Sequence, residues 1–188
     1  MPHLDSYVRT SEDSDRFWRL LEALDNKVHQ GFEPSTALSI AVLFEPLVER
    51  ESDPDTRTMR GEPGDQDDVA WEVLEPMAIR TRLSRKEFGR ARTLLANQPY
   101  FVESPGPRFS PLLFARSEDF EESLDLFGLR VDARGKGRDI YEGWVARQTR
   151  ARSATEEDLE QERKRTRNRK RRKRRRRPGR GPKSGGGD

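Results

Sequence analysis

The chain has 188 residues, no cysteine and a formal net charge of +3; 38% of its residues are charged and 31% are hydrophobic. This length suffices for one ordinary core plus a polar extension, but not for two independent cores. The lack of cysteine excludes a disulfide framework, a thiolate nucleophile and a cysteine-based zinc site. The charge is also unevenly divided, because residues 1–162 carry 22 basic and 33 acidic side chains whereas residues 163–188 carry 15 basic and one acidic.

The N-terminal sequence has neither a basic n-region nor an apolar h-segment. The longest apolar stretch, residues 37–48, is interrupted by Ser39, Glu45 and Pro46, so it is a poor candidate for a membrane span. We therefore expect a soluble, cytoplasmic protein with no membrane partner. The two histidines, His3 and His29, are expected to be ordinary surface residues, since acid–base chemistry needs partners within hydrogen-bond reach.

Two helices are predicted in the first third of the chain. In residues 15–30 the apolar side chains recur at helical spacing, with Ser14 as a candidate cap and Gly31 as a stop. Residues 35–48 are apolar on almost every side of a helix, which predicts a central position in the core. Pro46 removes one backbone donor and is expected to kink or shorten this second helix.

A polar surface loop is predicted over residues 50–68, because prolines, glycines and charged residues dominate it. A third helix should follow over 67–77, with its apolar residues on one face. The fourth helix, over 85–97, has a capping box in which Ser84 and Glu87 satisfy each other's end amides.

The following segment again contains loop signals. Residues 98–110 carry three prolines and a glycine and are predicted to be a loop or an insertion. A short helical turn at 111–115, a longer helix at 120–131, a glycine-rich turn at 133–137 and a last apolar helix face at 140–145 should follow. No stretch alternates like a strand, so the predicted fold class is all-α, with about five to six helices.

The C-terminal segment is predicted to leave the core. Leu159 is its only large apolar residue, so a helix capped by Thr155 would have no face to bury. Repulsion among neighbouring arginines should leave residues 163–177 disordered until a polyanion neutralises them. We therefore predict a helical domain at 1–152 and an acidic-to-basic tail at 153–188.

We call residues 163–188 the basic tail. Within it, 15 of the 21 residues from Arg163 to Lys183 are lysine or arginine and none is acidic. Such a run binds phosphate backbones through charge and counterion release, without sequence choice. A merely solubilising end or a nuclear-targeting signal are alternative interpretations.

A second basic cluster, which we call the basic track, lies within residues 80–92. Its six members are Arg80, Arg82, Arg85, Lys86, Arg90 and Arg92. Two interpretations remain open at this point. The track forms a surface for phosphates, to which arginine is well suited, or it is a solvated helix face that pairs with the acidic loops.

Aromatic residues offer a further candidate for nucleic-acid contact. Tyr141 and Trp144 are spaced so that both could stack on bases, as in single-strand binders. Their apolar neighbours favour a core position instead. The same interpretation is favoured for Phe17, Trp18 and Phe120.

Three segments carry a family resemblance. The first segment, residues 20–50, contains a helix, a turn and an apolar helix ending in Pro-Leu. The second, residues 74–95, has the sequence LEPMAIRTRLSRKEFGRARTLL, in which a short turn precedes a basic helix. The third, residues 119–130, has the sequence DFEESLDLFGLR and is followed later by Trp144. Together with the basic tail, they resemble the C-terminal arm of bacterial poly(A) polymerases, relatives of the tRNA CCA-adding nucleotidyltransferases. The chain departs from the family pattern at Arg80, where proline is usual, and in the apparent insertion at residues 98–118.

The resemblance implies a helical arm that lies beside a catalytic head and handles RNA, a function that argues against nuclear targeting. Its expected partners are single-stranded RNA 3′ ends or tRNA, and a nucleotidyltransferase head absent from this chain. The arm would hold the RNA 3′ region for adenylate addition. The predicted RNA-binding residues are the basic track together with Arg163, Lys164, Arg165, Arg167, Arg169, Lys170, Arg171, Arg172, Lys173, Arg174, Arg175, Arg176 and Arg177.

We do not predict the catalytic site of the family's nucleotidyltransferase head in this chain. A nucleotidyltransferase head needs a Gly-Ser turn for the nucleotide phosphates and an Asp-x-Asp pair for Mg²⁺. No Gly-Ser dipeptide occurs here, and Asp65-Gln66-Asp67 lies in an acidic loop with no preceding strand pattern. We therefore expect no cofactor and no catalysis from this chain alone, since ATP and Mg²⁺ would belong to the head.

Two other functions fit the residues. One is a stand-alone nucleic-acid-binding adaptor, whose body contacts protein and whose tail contacts RNA or DNA. The other is a general interaction protein whose tail binds acidic partners. Only the polymerase-arm interpretation expects the basic track to add RNA affinity beyond that of the tail.

Overall fold

The computed structural model describes residues 11–53, 66–102 and 109–175, with side chains from residue 14 to residue 167 of these ranges. The described part contains nine helices and no strand, which confirms the all-α prediction but exceeds the five to six helices expected. The helices are α1 (Ser11–His29), α2 (Thr36–Ser52), α3 (Gln66–Thr81), α4 (Arg85–Ala96), α5 (Gln98–Val102), α6 (Pro111–Phe114), α7 (Phe120–Arg134), α8 (Arg138–Ser153) and α9 (Glu156–Arg175). None of these described helices is long and apolar enough to cross a membrane.

Helix α2 is the centre of the larger core. It packs against α1, α3, α4 and α7, and its side chains Leu38, Val42 and Leu47 are almost completely buried. This confirms the central position predicted from its apolar surface. The helix continues past Pro46 to Ser52, so the proline does not end it. Most of the predicted loop at 50–68 lies outside the described residues.

The helix ends follow local sequence signals. Ser35 accepts a hydrogen bond from the backbone of Leu38 at 3.0 Å, and Ser84 accepts one from the backbone of Glu87 at 3.2 Å. Gly135, which follows α7, has a positive φ of 64°, a conformation that glycine adopts without steric cost. These signals mark the start of α2, the start of α4 and the end of α7, close to the positions that the sequence predicted.

A second core consists mainly of aromatic side chains from α5 to α8. Phe101 stacks on Phe127 with ring centroids 4.9 Å apart, and the indole N–H of Trp144 donates to the Phe101 carbonyl at 3.0 Å. Trp144 is therefore a core residue, as predicted. The loop prediction was wrong for Gln98–Val102, which form α5, because burial of Phe101 in this cluster outweighs the local loop signals. Residues 103–108 lie outside the described part.

The other aromatic predictions had mixed outcomes. Phe17 and Phe120 are buried, at 6% and 1% exposure. Trp18 is 56% exposed, so its predicted core position was wrong. It follows Phe17 by one position on α1, which turns it by about 100° away from the buried face.

Helix α9 differs from its prediction in two respects. Thr155 and Asp158 cap each other, with the Thr155 N–H 3.0 Å from the Asp158 carboxylate and the Asp158 N–H 3.2 Å from the Thr155 hydroxyl. Leu159 is only 3% exposed and α9 packs against α6, so the prediction that this helix buries no face was wrong. The helical backbone also continues to Arg175, although disorder was predicted from Arg163 onward. Acidic residues at the start of the helix and basic residues at its end suit the helix dipole. Residues 176–188 lie outside the described part, and the domain division at residue 152 remains a prediction.

Candidate nucleic-acid interface

Two members of the basic track are engaged in ion pairs with neighbouring helices. Arg90 lies 2.9 Å from the carboxylate of Glu122 and 4.0 Å from that of Asp119 on the α7 side. Arg92 pairs with the carboxylate of Asp67, and its Nε donates to the Asp67 carbonyl at 3.3 Å. For Arg90 and Arg92 the structure therefore shows the pairing with acidic residues that the second interpretation predicted.

The remaining four members face solvent. Arg80, Arg82, Arg85 and Lys86 are exposed, and none of them makes an ion pair with another residue of the described part. Arg80 and Arg82 lie at the end of α3, whereas Arg85 and Lys86 lie in the first turn of α4. The α3–α4 turn therefore gathers four cations with no acidic partner among the described residues.

Two of these cations, Arg82 and Arg85, line a groove between α3 and α4, which we call the aromatic groove. Its volume is about 460 Å³. The lining residues are Trp71, Glu75, Ala78, Ile79, Arg82, Leu83, Arg85 and Phe88. Large apolar side chains are thus exposed beside unpaired guanidinium groups, a combination that an ordinary solvated helix face lacks.

Trp71 is the principal aromatic residue of this groove. Its ring is 40% exposed and makes an edge-to-face contact with Phe88, with centroids 4.9 Å apart. The guanidinium carbon of Arg92 lies 5.0 Å from the Trp71 ring centroid, within cation–π distance. The ring is therefore held in place by its neighbours while part of its surface remains accessible. Ile79, at 73% exposure, adds apolar surface nearby.

Arg82 has an unusual backbone. Its φ is 53°, the only positive value at a non-glycine residue in the described part. The N–H of Leu83 donates to the carbonyl of Ala78 at 3.0 Å, which places Arg82 at the left-handed position of a helix-ending turn that glycine usually occupies. A residue with a Cβ is strained in this conformation, which glycine adopts without steric cost.

The site offers two kinds of contact to a nucleic acid. An accessible indole ring can stack on a base, since every base has a π-face, and guanidinium groups can bind phosphate oxygens in a bidentate manner. The Asp-x-Asp motif does not add a metal site to the described part. Asp67 is paired with Arg92, Asp65 lies outside the described residues, and no group of candidate metal ligands occurs among the residues that are described.

The start of the basic tail is described in part. Arg163 pairs with Glu156 at 3.1 Å, Lys164 with Glu160 at 3.3 Å and Arg165 with Glu162 at 3.7 Å, all on the exposed surface of α9. Exposed pairs of this kind contribute little free energy, so these cations can exchange a carboxylate for a phosphate at small cost. Arg167 is exposed as well. The predicted residues with helical backbone but without described side chains are Arg169, Lys170, Arg171, Arg172, Lys173, Arg174 and Arg175, whereas Arg176 and Arg177 lie outside the described part.

The chain was compared with models of known protein families. The model described as the polymerase A arginine-rich C-terminus matches residues 66–178, more than half of the chain. The chain belongs to this family. No curated protein and no solved structure gave a significant match.

The polymerase A family region contains both parts of the candidate interface. It begins at the first residue of α3, includes the aromatic groove and extends through α9. The predicted resemblance to the C-terminal arm of poly(A) polymerase is thus confirmed at the level of the family. Helices α1 and α2 precede the matched region, so the resemblance noted over residues 20–50 has no counterpart in this match.

Sequence reasoning found the cations of the interface but missed its apolar part. The predicted buried face of α3 is confirmed by Val69, Val73 and Met77, among others. Trp71 and Ile79 are eight residues apart and therefore share the opposite face, together with Glu75 between them. This second apolar stripe on α3 was the available signal for the groove.

Proposed function

We propose that this chain is the RNA-binding C-terminal portion of a poly(A) polymerase-type nucleotidyltransferase. It holds the 3′ region of an RNA while a catalytic head, which this sequence does not include, adds adenylate. The observation that carries the proposal is the aromatic groove, where the exposed ring of Trp71 lies beside two unpaired arginines, Arg82 and Arg85. Membership of the polymerase A family supports RNA as the partner.

The groove suits single-stranded RNA better than a duplex. Bases in a duplex are stacked on one another and are not accessible to an aromatic side chain, whereas unpaired bases are. A base would stack in the groove against Trp71, and the flanking phosphates would contact Arg82 and Arg85. Arg80 and Lys86 extend the positive surface along the turn.

The basic tail has a different role in this proposal. Its dense positive charge supplies affinity by counterion release, and this contribution does not depend on base identity. The tail therefore keeps an RNA close to the arm, while the groove distinguishes single strands from duplexes. ATP and Mg²⁺ act at the head and require no site on this chain.

The proposal is tested by removing the two arginines of the groove. The variant Arg82→Ala/Arg85→Ala in the full chain should bind oligo(A) about tenfold more weakly, which is about 1.4 kcal/mol. Its plot of log affinity against log salt should also flatten by about 0.7 for each phosphate that the protein no longer neutralises. Fluorescence anisotropy across a salt series measures both quantities.

The matched control is Arg116→Ala/Arg150→Ala, which removes the same charge from two exposed residues outside the groove. The proposal predicts a clearly smaller decrease in affinity for this control. Equal decreases in the two variants would mean that the groove makes no specific contact and that only overall charge matters. That result would favour the alternative of an adaptor whose tail alone binds nucleic acid.

A further inference from the structure

A second positively charged concavity lies among α1, α2 and the end of α7, away from the aromatic groove. We call it the cationic cleft, and its volume is about 370 Å³. Its charged lining comprises Arg16, Arg19, Arg130, Arg134, Lys136, Glu45 and Glu49. Five cations thus face two carboxylates, although residues 1–162 as a whole carry more acidic than basic side chains.

The inner part of the cleft is a network in which all four charged groups are paired. Arg130 lies 2.5 Å from Glu45 and 3.0 Å from Glu49, and Arg134 contacts the same two carboxylates. Gln98 accepts a further hydrogen bond from Arg130 at 3.4 Å. The side chains of Arg130 and Glu45 are 11% and 5% exposed, so the network is fixed in position by burial and by multiple contacts.

The outer part of the cleft is not neutralised. Arg16, Arg19 and Lys136 are exposed and make no ion pair with any residue in the described ranges. Both carboxylates of the cleft are already engaged by Arg130 and Arg134. Arg16 is near enough to both carboxylates to lower their pKa values, but the cleft still carries three more cations than carboxylates.

The backbone also fixes the position of one of these cations. Lys136 stands between Gly135 and Gly137, which have φ values of 64° and 87°. This tight turn joins α7 to α8 and brings Lys136 into the lining of the cleft, to which α1 contributes Arg16. The two residues thus belong to separate elements that meet at the same cavity.

Surplus positive charge in a concavity attracts anions, and the low-dielectric walls strengthen this attraction. The volume lies in the range of pockets that bind small ligands rather than polymers. We propose that the cationic cleft binds a multivalent phosphate group, with Arg16, Arg19 and Lys136 as its ligands and the paired Arg130 and Arg134 as its positively polarised floor. The group is either a free oligophosphate or the terminal phosphate of an RNA.

Thermal unfolding of the full chain tests this proposal, with inorganic pyrophosphate as the probe and sodium chloride at equal ionic strength as the reference. A ligand of the folded body raises Tm, by roughly 3–6 °C at about ten times its Kd for a domain of this size. In Arg16→Ala/Lys136→Ala this rise should disappear. The matched control Arg116→Ala/Arg150→Ala, which removes the same charge elsewhere, should keep it.

A second arm identifies the source of the phosphate. The affinities for oligo(A) with a 5′-phosphate and with a 5′-hydroxyl are compared by anisotropy. The proteins are the wild type, Arg16→Ala/Lys136→Ala and the control Arg116→Ala/Arg150→Ala. A pyrophosphate effect that depends on Arg16 and Lys136 assigns the cleft to free oligophosphates. A preference for the 5′-phosphate that depends on these two residues assigns it to RNA ends.

Some outcomes overturn the proposal. One is an equal Tm rise with pyrophosphate in Arg16→Ala/Lys136→Ala and in the control. The other is that neither the pyrophosphate effect nor the preference for a 5′-phosphate depends on Arg16 and Lys136. The three cations would then be ordinary solvated side chains, and any anion binding would belong to the basic tail. Neither result would affect the proposed function, because the aromatic groove is formed by different helices and is tested by different variants.

Discussion

Arg82 combines a backbone conformation suited to glycine with a side chain suited to phosphate. If function retains the arginine, stability and RNA binding should respond in opposite directions at this position. Arg82→Gly relieves the left-handed strain and should raise the free energy of unfolding by about 1 kcal/mol. It also removes the guanidinium and should weaken oligo(A) binding.

The variant Arg82→Ala separates the two effects. It keeps the strained φ but removes the charge, so its RNA affinity should fall as in Arg82→Gly while its stability stays near that of the wild type. Urea unfolding and anisotropy on the three proteins measure this. Unchanged oligo(A) affinity in both variants would remove Arg82 from the interface.

The carboxylates of Glu45 and Glu49 occupy one network but have pKa values shifted in opposite directions. Burial raises the pKa of Glu45 above 4.5, and the nearby Arg130, Arg134 and Arg16 offset only part of this effect. Burial acts in the same direction on Glu49, but the arginines outweigh it and hold its pKa below 4.5. The difference arises because Glu49 is the less buried of the two.

These shifts predict opposite pH dependences of stability. The folded chain binds the Glu45 proton more tightly than the unfolded chain, so this stabilising contribution is present below pH 4.5 and is lost as pH rises through the raised pKa. Glu49 contributes stability above pH 4.5, and this is lost as pH falls through its lowered pKa.

Substitution by glutamine tests the signs. Relative to wild type, Glu45→Gln should gain stability as pH rises above 4.5, whereas Glu49→Gln should lose stability as pH rises toward 4.5 from below. Urea unfolding on both sides of this pH gives the two slopes. If the stability of both variants relative to wild type changed with pH in the same direction, the two carboxylates would share one environment.

At the scale of elements, α7 and α8 approach each other closely at Gly128. A Cβ built on Gly128 would lie 2.8 Å from the ring of Tyr141, closer than such atoms approach in proteins. A glycine inside a helix usually weakens it, but α7 is unbroken here and Gly128 makes room for Tyr141. The missing side chain is therefore a packing requirement.

Gly128→Ala should lower the free energy of unfolding by about 1–3 kcal/mol, since the Tyr141 ring must shift. Gly89→Ala is the matched control, because this helical glycine on α4 has nothing within 4 Å of a built Cβ. It should raise the free energy of unfolding by about 0.5–1 kcal/mol through helix propensity. Equal stabilisation of both variants in urea unfolding would contradict the close packing.

How well each element could be predicted depended on where its stabilisation comes from. Helices α1 to α4 were predictable because a local apolar period and local caps define them. Helix α5 was missed because the burial of Phe101 against α7 and α8 depends on residues distant in sequence. The burial of Leu159 was missed for the same reason, since the helix that carries it, α9, packs against α6.

At the scale of the whole molecule, the aromatic groove and the basic helix α9 are formed by different segments of the described chain. The described helices bury two cores, expose the aromatic groove at the α3–α4 turn and continue into the basic helix α9. The six cations of the basic track were evident from the sequence. That two of them pair with acidic residues and four do not depends on how α3, α4 and α7 pack, which the local sequence does not encode.

The central claim is that the folded body, and not the tail alone, contacts RNA. It is tested most directly by ultraviolet crosslinking of the full chain to oligo(A), followed by mass spectrometry of the crosslinked peptides. The account predicts crosslinks to the peptide that contains Trp71 or to the one that contains Phe88, in addition to any within the basic tail. Crosslinks confined to residues 163–188 would contradict it and would leave the basic tail as the only RNA-binding part of the chain.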